Sequence, residues 1–202
     1  MNLSAQVGFK VDYIMGQSFF GLPFIFLHRR GNRLVIYLGS FKVTGNKIHI
    51  SDPCNDYDSV GAAKIVNALP GKYLAKLTLY YLKNWGVRVA KLSIWHEEHK
   101  NVSPNICTDC VIGVDSGQAG FFDDNYYAEN HGGDFGDLTT LFGLACSLTL
   151  SKNRGGIVND RGVVSETGFG DGSYSLYIGK NNEGKIVSAS IIFIADDEME
   201  EC

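Results

Sequence analysis

Four aspartates stand in turn contexts along this chain: Ile-Ser-Asp52-Pro53, Val114-Asp115-Ser116-Gly117, Phe121-Phe122-Asp123-Asp124 and Gly170-Asp171-Gly172. If these carboxylates converged, they could hold Mg²⁺ or Ca²⁺, or share a proton as a general acid and base. Left apart, each can satisfy the amides of its own turn, the commonest use of Asp in such places. Gln118, Tyr126, Tyr127 and Tyr174 lie next to them in the sequence. Tyrosine offers a flat face and a hydroxyl, suited to an aromatic or nucleotide-like ligand. The candidate ligand-binding set is therefore Asp52, Asp115, Gln118, Asp123, Tyr126, Tyr127, Asp171 and Tyr174.

Other combinations are less coherent. His96-Glu97-Glu98-His99 followed by Cys107 and Cys110 has the residue types of a zinc site. Two histidines three apart share a metal on a helix, whereas Leu92 to Trp95 reads as a strand running into a loop, so no metal is assigned. The segment is also one residue short of the His-Glu-x-x-His helix of zinc proteases. Cys54 or Cys146 with His49, His96 or His131 has the types for nucleophilic catalysis, without a supporting motif. Asp123-Asp124-Asn125 with Glu129 lacks the ligand spacing of a calcium loop, and neither Gly132-Gly133 nor Gly155-Gly156 has the context of a phosphate-binding loop. Both glycine pairs read as flexible loops, and no cofactor is expected.

The elements that would position these residues read as two diverged halves. Lys42 to Pro53 aligns without a gap over Gly113 to Asp124, matching Val43 with Val114 and Asp52 with Asp123. Gly71-Lys72-Tyr73 and its hairpin to Gly86 echo Gly172-Ser173-Tyr174 and the hairpin to Gly184. Apolar runs predict strands over Leu22–His28, Leu34–Leu38, Phe41–Val43, Ile48–Ile50, Tyr73–Leu82 and Val87–Trp95 in the first part. In the second they predict strands over Ile112–Val114, Ala119–Phe122, Gly162–Ser165, Tyr174–Ile178 and Ile186–Ile194. His28 to Arg33 reads as a basic hairpin turn and Asn84-Trp85-Gly86 as a hairpin connection. A short helix capped by Asp58 or Ser59 is expected over Ser59–Ala68, and the main helix over Leu138–Leu150 with Asp137 as its cap. The expected class is α+β: β-rich, two pseudo-repeated halves of antiparallel hairpins, with one main helix in the second half. Residues 1–40 form an N-terminal hairpin or extension, 41–100 the first repeat, 106–195 the second, and 196–202 an acidic tail, the halves sharing one core.

Val114-Asp115-Ser116-Gly117-Gln118-Ala119-Gly120-Phe121-Phe122-Asp123, with Tyr126 and Tyr127 after it, and Gly168-Phe169-Gly170-Asp171-Gly172-Ser173-Tyr174 are the strongest local signals. Here the chain resembles the uncharacterised bacterial and phage family catalogued as domain of unknown function 4241. Ser51-Asp52-Pro53-Cys54 and Pro70-Gly71-Lys72-Tyr73 extend the resemblance over roughly residues 40 to 194. It implies a mixed β-rich fold and no assigned reaction. Asn55 stands where relatives are expected to carry an aromatic residue.

A net charge of −4 argues against general nucleic-acid binding, which needs clustered Lys and Arg. No stretch approaches the roughly 18 consecutive apolar residues of a membrane span. The start lacks a signal-peptide pattern and the five cysteines are unevenly spread, so a cytoplasmic protein with reduced thiols is expected. The resulting expectation is a non-enzymatic binding protein of bacterial or phage origin, sequestering a nucleotide-like small molecule or blocking a host defence protein, with an oligomer left open. The alternatives are a metal-dependent hydrolase built on the turn aspartates, or a structural subunit with a Phe-rich patch at Phe19 to Phe26.

Overall fold

The computed structural model describes residues 27–196, Gly31 excepted, and the side chains from residue 32 onward. Most of the chain expected to form the first strand, and the Phe-rich segment from Phe19 to Phe26, lie outside the described residues.

Two antiparallel sheets form the body. The larger has seven strands in the order β1 (Leu27–Arg30), β2 (Arg33–Val43), β5 (Gly71–Leu82), β6 (Gly86–His96), β12 (Ile186–Ile192), β11 (Gly172–Lys180) and β7 (Ile106–Val114). The smaller has five: β4 (Ala63–Val66), β3 (Lys47–Ser51), β8 (Gln118–Asp123), β10 (Gly162–Glu166) and β9 (Gly155–Val158). Helices α1 (Asp124–Asn130) and α2 (Leu141–Thr149) belong to the second half of the chain. The fold is thus α+β and β-rich. Among the described residues no helix is long and apolar enough to cross a membrane.

The layers follow from side-chain alternation. Ile48, Ile50, Ala119, Phe121 and Val163 of the smaller sheet meet Tyr73, Leu77, Leu92, Ile94 and Ile191 of the larger one in a continuous core. On the far face of the smaller sheet, Phe122, Val158 and Val164 form a second cluster with Tyr127, Leu141 and Ala145 of the helices. Strand β8, buried at every position, is covered by the large sheet on one side and by helices on the other. Gly156 of β9 makes the docking of α2 close: a Cβ there would come within 2.7 Å of Leu148.

Expected and observed elements differ in several places, among them the two strands expected over Leu34–Leu38 and Phe41–Val43, which are one, and the strand expected over Ile112–Val114, which starts at Ile106. Residues 59–68 hold tight turns followed by β4 instead of a helix. The turns are closed by Ser59 N–H to Asp56 O and Ala62 N–H to Ser59 O, and Ala63 to Val66 alternate buried and exposed as an edge strand does. The main helix is shorter than expected and is capped by Thr140, whose hydroxyl accepts from Gly143 N. Asp137 instead accepts from the amide and hydroxyl of Thr139 in the turn before it. Helix α1 was not foreseen; Asp123 caps it through Asn125 N. Gly155-Gly156 is strand rather than loop. The basic turn, by contrast, joins two paired strands with Arg30 opposite Arg33.

The two sheets are joined where a strand leaves one and enters the other. Strand β2 ends at Val43 and continues into β3; β7 ends at Val114 and continues into β8. Strands β3 and β8 pair with Ile50 opposite Phe121. Each then delivers an aspartate to the other's crossover turn. Asp52 Oδ2 accepts from the amides of Asp115 (2.9 Å) and Ser116 (2.7 Å), and its Oδ1 from Ser116 Oγ and Cys54 N. Asp123 Oδ2 accepts from Thr44 N (2.6 Å), Thr44 Oγ1 (2.7 Å) and Arg161 Nη2 (2.8 Å), while its Oδ1 accepts from Asn125 N. Both residues are fully buried.

Removing either buried carboxylate takes the acceptor from four donors at once. Asp52→Ala and Asp123→Ala are each expected to lower unfolding free energy by about 3 kcal/mol, read from the urea midpoint at an unchanged slope, whereas Asp171→Ala stays within about 0.5 kcal/mol.

Candidate functional site

The structure divides the expected site residues into two groups. Asp52 and Asp123 have their carboxylates filled by turn amides and hydroxyls. Gln118, also buried, braces β8 to α2: its Nε2 donates to Cys146 Sγ (3.3 Å) and its Oε1 accepts from Thr149 Oγ1 (3.1 Å). Tyr127 is fully buried, donating to the carbonyls of Asn55 (2.8 Å) and Asp52 (3.1 Å). Tyr126 is half-buried, its hydroxyl accepting from Asn159 Nδ2, and the nearly buried Tyr174 donates to Gly170 O (2.6 Å). The other group is Asp115 and Asp171, both exposed, which line one open cleft of about 660 Å³ with Asn55, Ser59, Gly61 and Ser173. Among the described residues none of the four aspartates belongs to a set of three side chains able to share a metal ion.

The Cys54 thiol is not activated. Burial and the neighbouring Asp52 carboxylate push the Cys54 thiol up to about 12, the reverse of the activation a thiolate needs. Cys146 is buried against Gln118, while Cys107 and Cys110 are exposed on β7.

Two features emerge only in the structure. The first is His49 on β3, fully buried in a stack of rings. Tyr127 lies 3.9 Å from it between centroids and Tyr57 5.3 Å, with planes within 16° and 20° of parallel. Neither ring nitrogen makes a hydrogen bond; Asp124 Oδ1, at 3.7 Å from Nδ1, is beyond that range and accepts instead from Tyr57 Oη. Burial lowers the imidazole from 6.5 to about 4, outweighing the attraction of Asp124. His49 is therefore neutral near pH 7.

The second is a cleft of about 620 Å³ lined by Trp85, Arg88, Gly117, Arg154, Thr167 and Phe169, among others. Trp85, at the β5–β6 hairpin, meets Phe169 edge to face with centroids 5.5 Å apart, and both rings are about half exposed. Arg154 is paired with Glu166. Arg88 donates only to the carbonyl of its neighbour Val87, and among the described residues no carboxylate lies within ion-pair distance of it. The floor is built from the two strongest sequence signals: the turn at Ser116-Gly117 touches the Gly168-Phe169-Gly170 turn through Thr167 N–H to Gly117 O (2.9 Å). A bulky aromatic inside a tight hairpin was the available sequence clue, since a turn seldom buries its tip.

Compared with protein-family models, curated proteins and solved structures, the chain matches none.

The buried histidine sets a pH window. Its folded pKa lies below its unfolded one, so its full contribution is present above pH 6.5 and is lost as pH falls toward about 4, a change of roughly 3 kcal/mol. Asp123 acts in a lower range. Burial raises its carboxyl, but Thr44 and Arg161 overcome this and hold it below the ordinary value of 3.8, so its contribution is lost only as pH falls below about 4. Unfolding curves of His49→Phe are expected to be flatter than wild type between pH 6.5 and 4, and parallel to it below.

Proposed function

We propose that this protein is a non-catalytic binding protein whose ligand, a small anionic aromatic molecule of the nucleotide class, occupies the cleft between Trp85, Phe169 and Arg88. The observation that carries this reading is the pairing, in one concavity, of two half-exposed rings with a guanidinium that, among the described residues, no carboxylate pairs, the lining Glu166 being taken up by Arg154. A base can lie against the indole, and a phosphate can receive the fork of Arg88. The exposed pair Asp115 and Asp171 lies in the neighbouring cleft, so the acidic turns border the ligand instead of holding its charge.

Two further expectations fit this reading. Membership of the uncharacterised family catalogued as domain of unknown function 4241 is proposed on the sequence motifs at Val114–Asp123 and Gly168–Tyr174 alone. An internal pseudo-repeat is supported by the reciprocal aspartates and by matching registers, Val43 opposite Gly71 and Val114 opposite Gly172. A hydrolase built on the four aspartates has less support, because two of those carboxylates are already filled by turn donors.

Calorimetric titration with nucleoside monophosphates, triphosphates and cyclic dinucleotides tests the site. Binding is expected, weakened at least about tenfold by Arg88→Ala and by Trp85→Ala, with Asp171→Asn within about twofold of wild type. Absence of binding across the set at millimolar ligand, or equal affinity in Arg88→Ala, would sink the proposal.

A further inference from the structure

Independently of that cleft, we infer that the turn closing β6 is a binding site for one divalent transition-metal ion of the zinc class, held by His96, Glu98 and His99. One ligand atom from each of these side chains lies within 4.8 Å of the others, close enough for a single ion to reach all three after small rotations. The sequence argument against this set was that histidines three apart meet only on a helix. A β-turn does the same work: His99 N–H donates to His96 O (2.9 Å) and Val102 N–H to His99 O (3.0 Å), folding positions i and i+3 toward each other. The two imidazoles stand 5.6 Å apart between centroids.

His96 is prepared in a way that a surface histidine is not. The residue is only 4% exposed, and its ring packs edge-on against Tyr73. Its Nε2 lies 3.3 Å from the carbonyl of Pro70, and its Nδ1 faces Glu98 N, also at 3.3 Å. Both contacts call for the same tautomer, with the proton on Nε2 and the lone pair on Nδ1. That is how metal-bound histidines are commonly oriented, the far nitrogen donating to a backbone carbonyl. The place of the ring also depends on Gly71, where a Cβ would come 2.3 Å from Nε2. An arriving ion replaces the long contact from the Glu98 amide, which sits in an exposed turn and passes to water.

Two imidazoles and one carboxylate, with positions left for water, suit Zn²⁺ and its neighbours Co²⁺ and Ni²⁺; calcium and magnesium prefer oxygen. Cys107 and Cys110 take no part. They lie on β7, three strands from β6 in the sheet, roughly 14 Å away at ordinary strand spacing.

The untagged full chain, stripped with chelator, should be titrated with Co²⁺ by visible absorption and with Zn²⁺ by calorimetry. One equivalent is expected to bind, with cobalt bands of a low-coordinate site that zinc abolishes. His99→Ala and Glu98→Gln are expected to weaken binding at least about tenfold, while Glu97→Gln stays within about twofold. Both changed side chains lie on the turn, and urea unfolding of the apo variants checks that the fold is intact. No stoichiometric binding by the wild-type chain, or affinity unchanged in His99→Ala, would overturn the site. Either result leaves nucleotide binding at Trp85 and Arg88 to be decided by its own titration.

Discussion

Two buried carboxylates, exchanged between crossover turns, are the constraint on which the rest of the structure depends. A strand that leaves one sheet to enter another must turn between them, and the amides of that turn lose their ladder partners. Asp52 and Asp123 each supply what the opposite turn lacks, Asp52 directly after β3 and Asp123 at the end of β8, where the pairing of those strands brings them. Charge-assisted bonds to several donors offset the cost of burying an ionised group. Because each aspartate closes the other strand's turn, neither crossover is complete until β3 and β8 are paired.

The same pairing produces the layers. With β3 and β8 at the centre of the smaller sheet, one face packs on the seven-stranded sheet and the other has to be covered by helix. Gln118 bonds to the helix that supplies the cover, while Tyr127 ties α1 to the loop after Asp52. His49 is enclosed by this arrangement: Tyr57 and Tyr127 stack on its ring and leave no hydrogen-bond partner for its nitrogens, and the ring remains as a neutral slab in an aromatic stack. A buried polar group of this kind weakens the fold in mild acid, where a phenylalanine would not.

The sites proposed for binding lie at the rim. Two of the four aspartates that looked most like a site are architectural, and the side chains proposed for binding lie at the two ends of β6: Arg88 with two half-exposed rings near its start, His96 with Glu98 and His99 at its close. Both places depend on the same physical circumstance. An antiparallel sheet holds its turns at defined positions, so side chains there are presented in a set arrangement.

Much of the architecture was legible in the residues. Alternation marked most of the strands, Asn84-Trp85-Gly86 and the basic turn marked hairpins, and the leucine spacing after Asp137 marked a helix, because these signals depend on neighbours within a few residues. Edge strands such as Ala63–Val66 and Gly155–Val158 were not, since four residues carry too little periodicity to distinguish them from helix or loop. The four aspartates were singled out by local context, but only the pairing of β3 with β8 determined that Asp52 and Asp123 face inward to amides 63 and 79 residues away while Asp115 and Asp171 face water. The nearness of Trp85 to Phe169 and the tautomer of His96 likewise arise between elements distant in the chain. Local periodicity is encoded in adjacent residues; burial and partnership depend on which distant segments come to lie beside them, and that was settled only by the folded sheets.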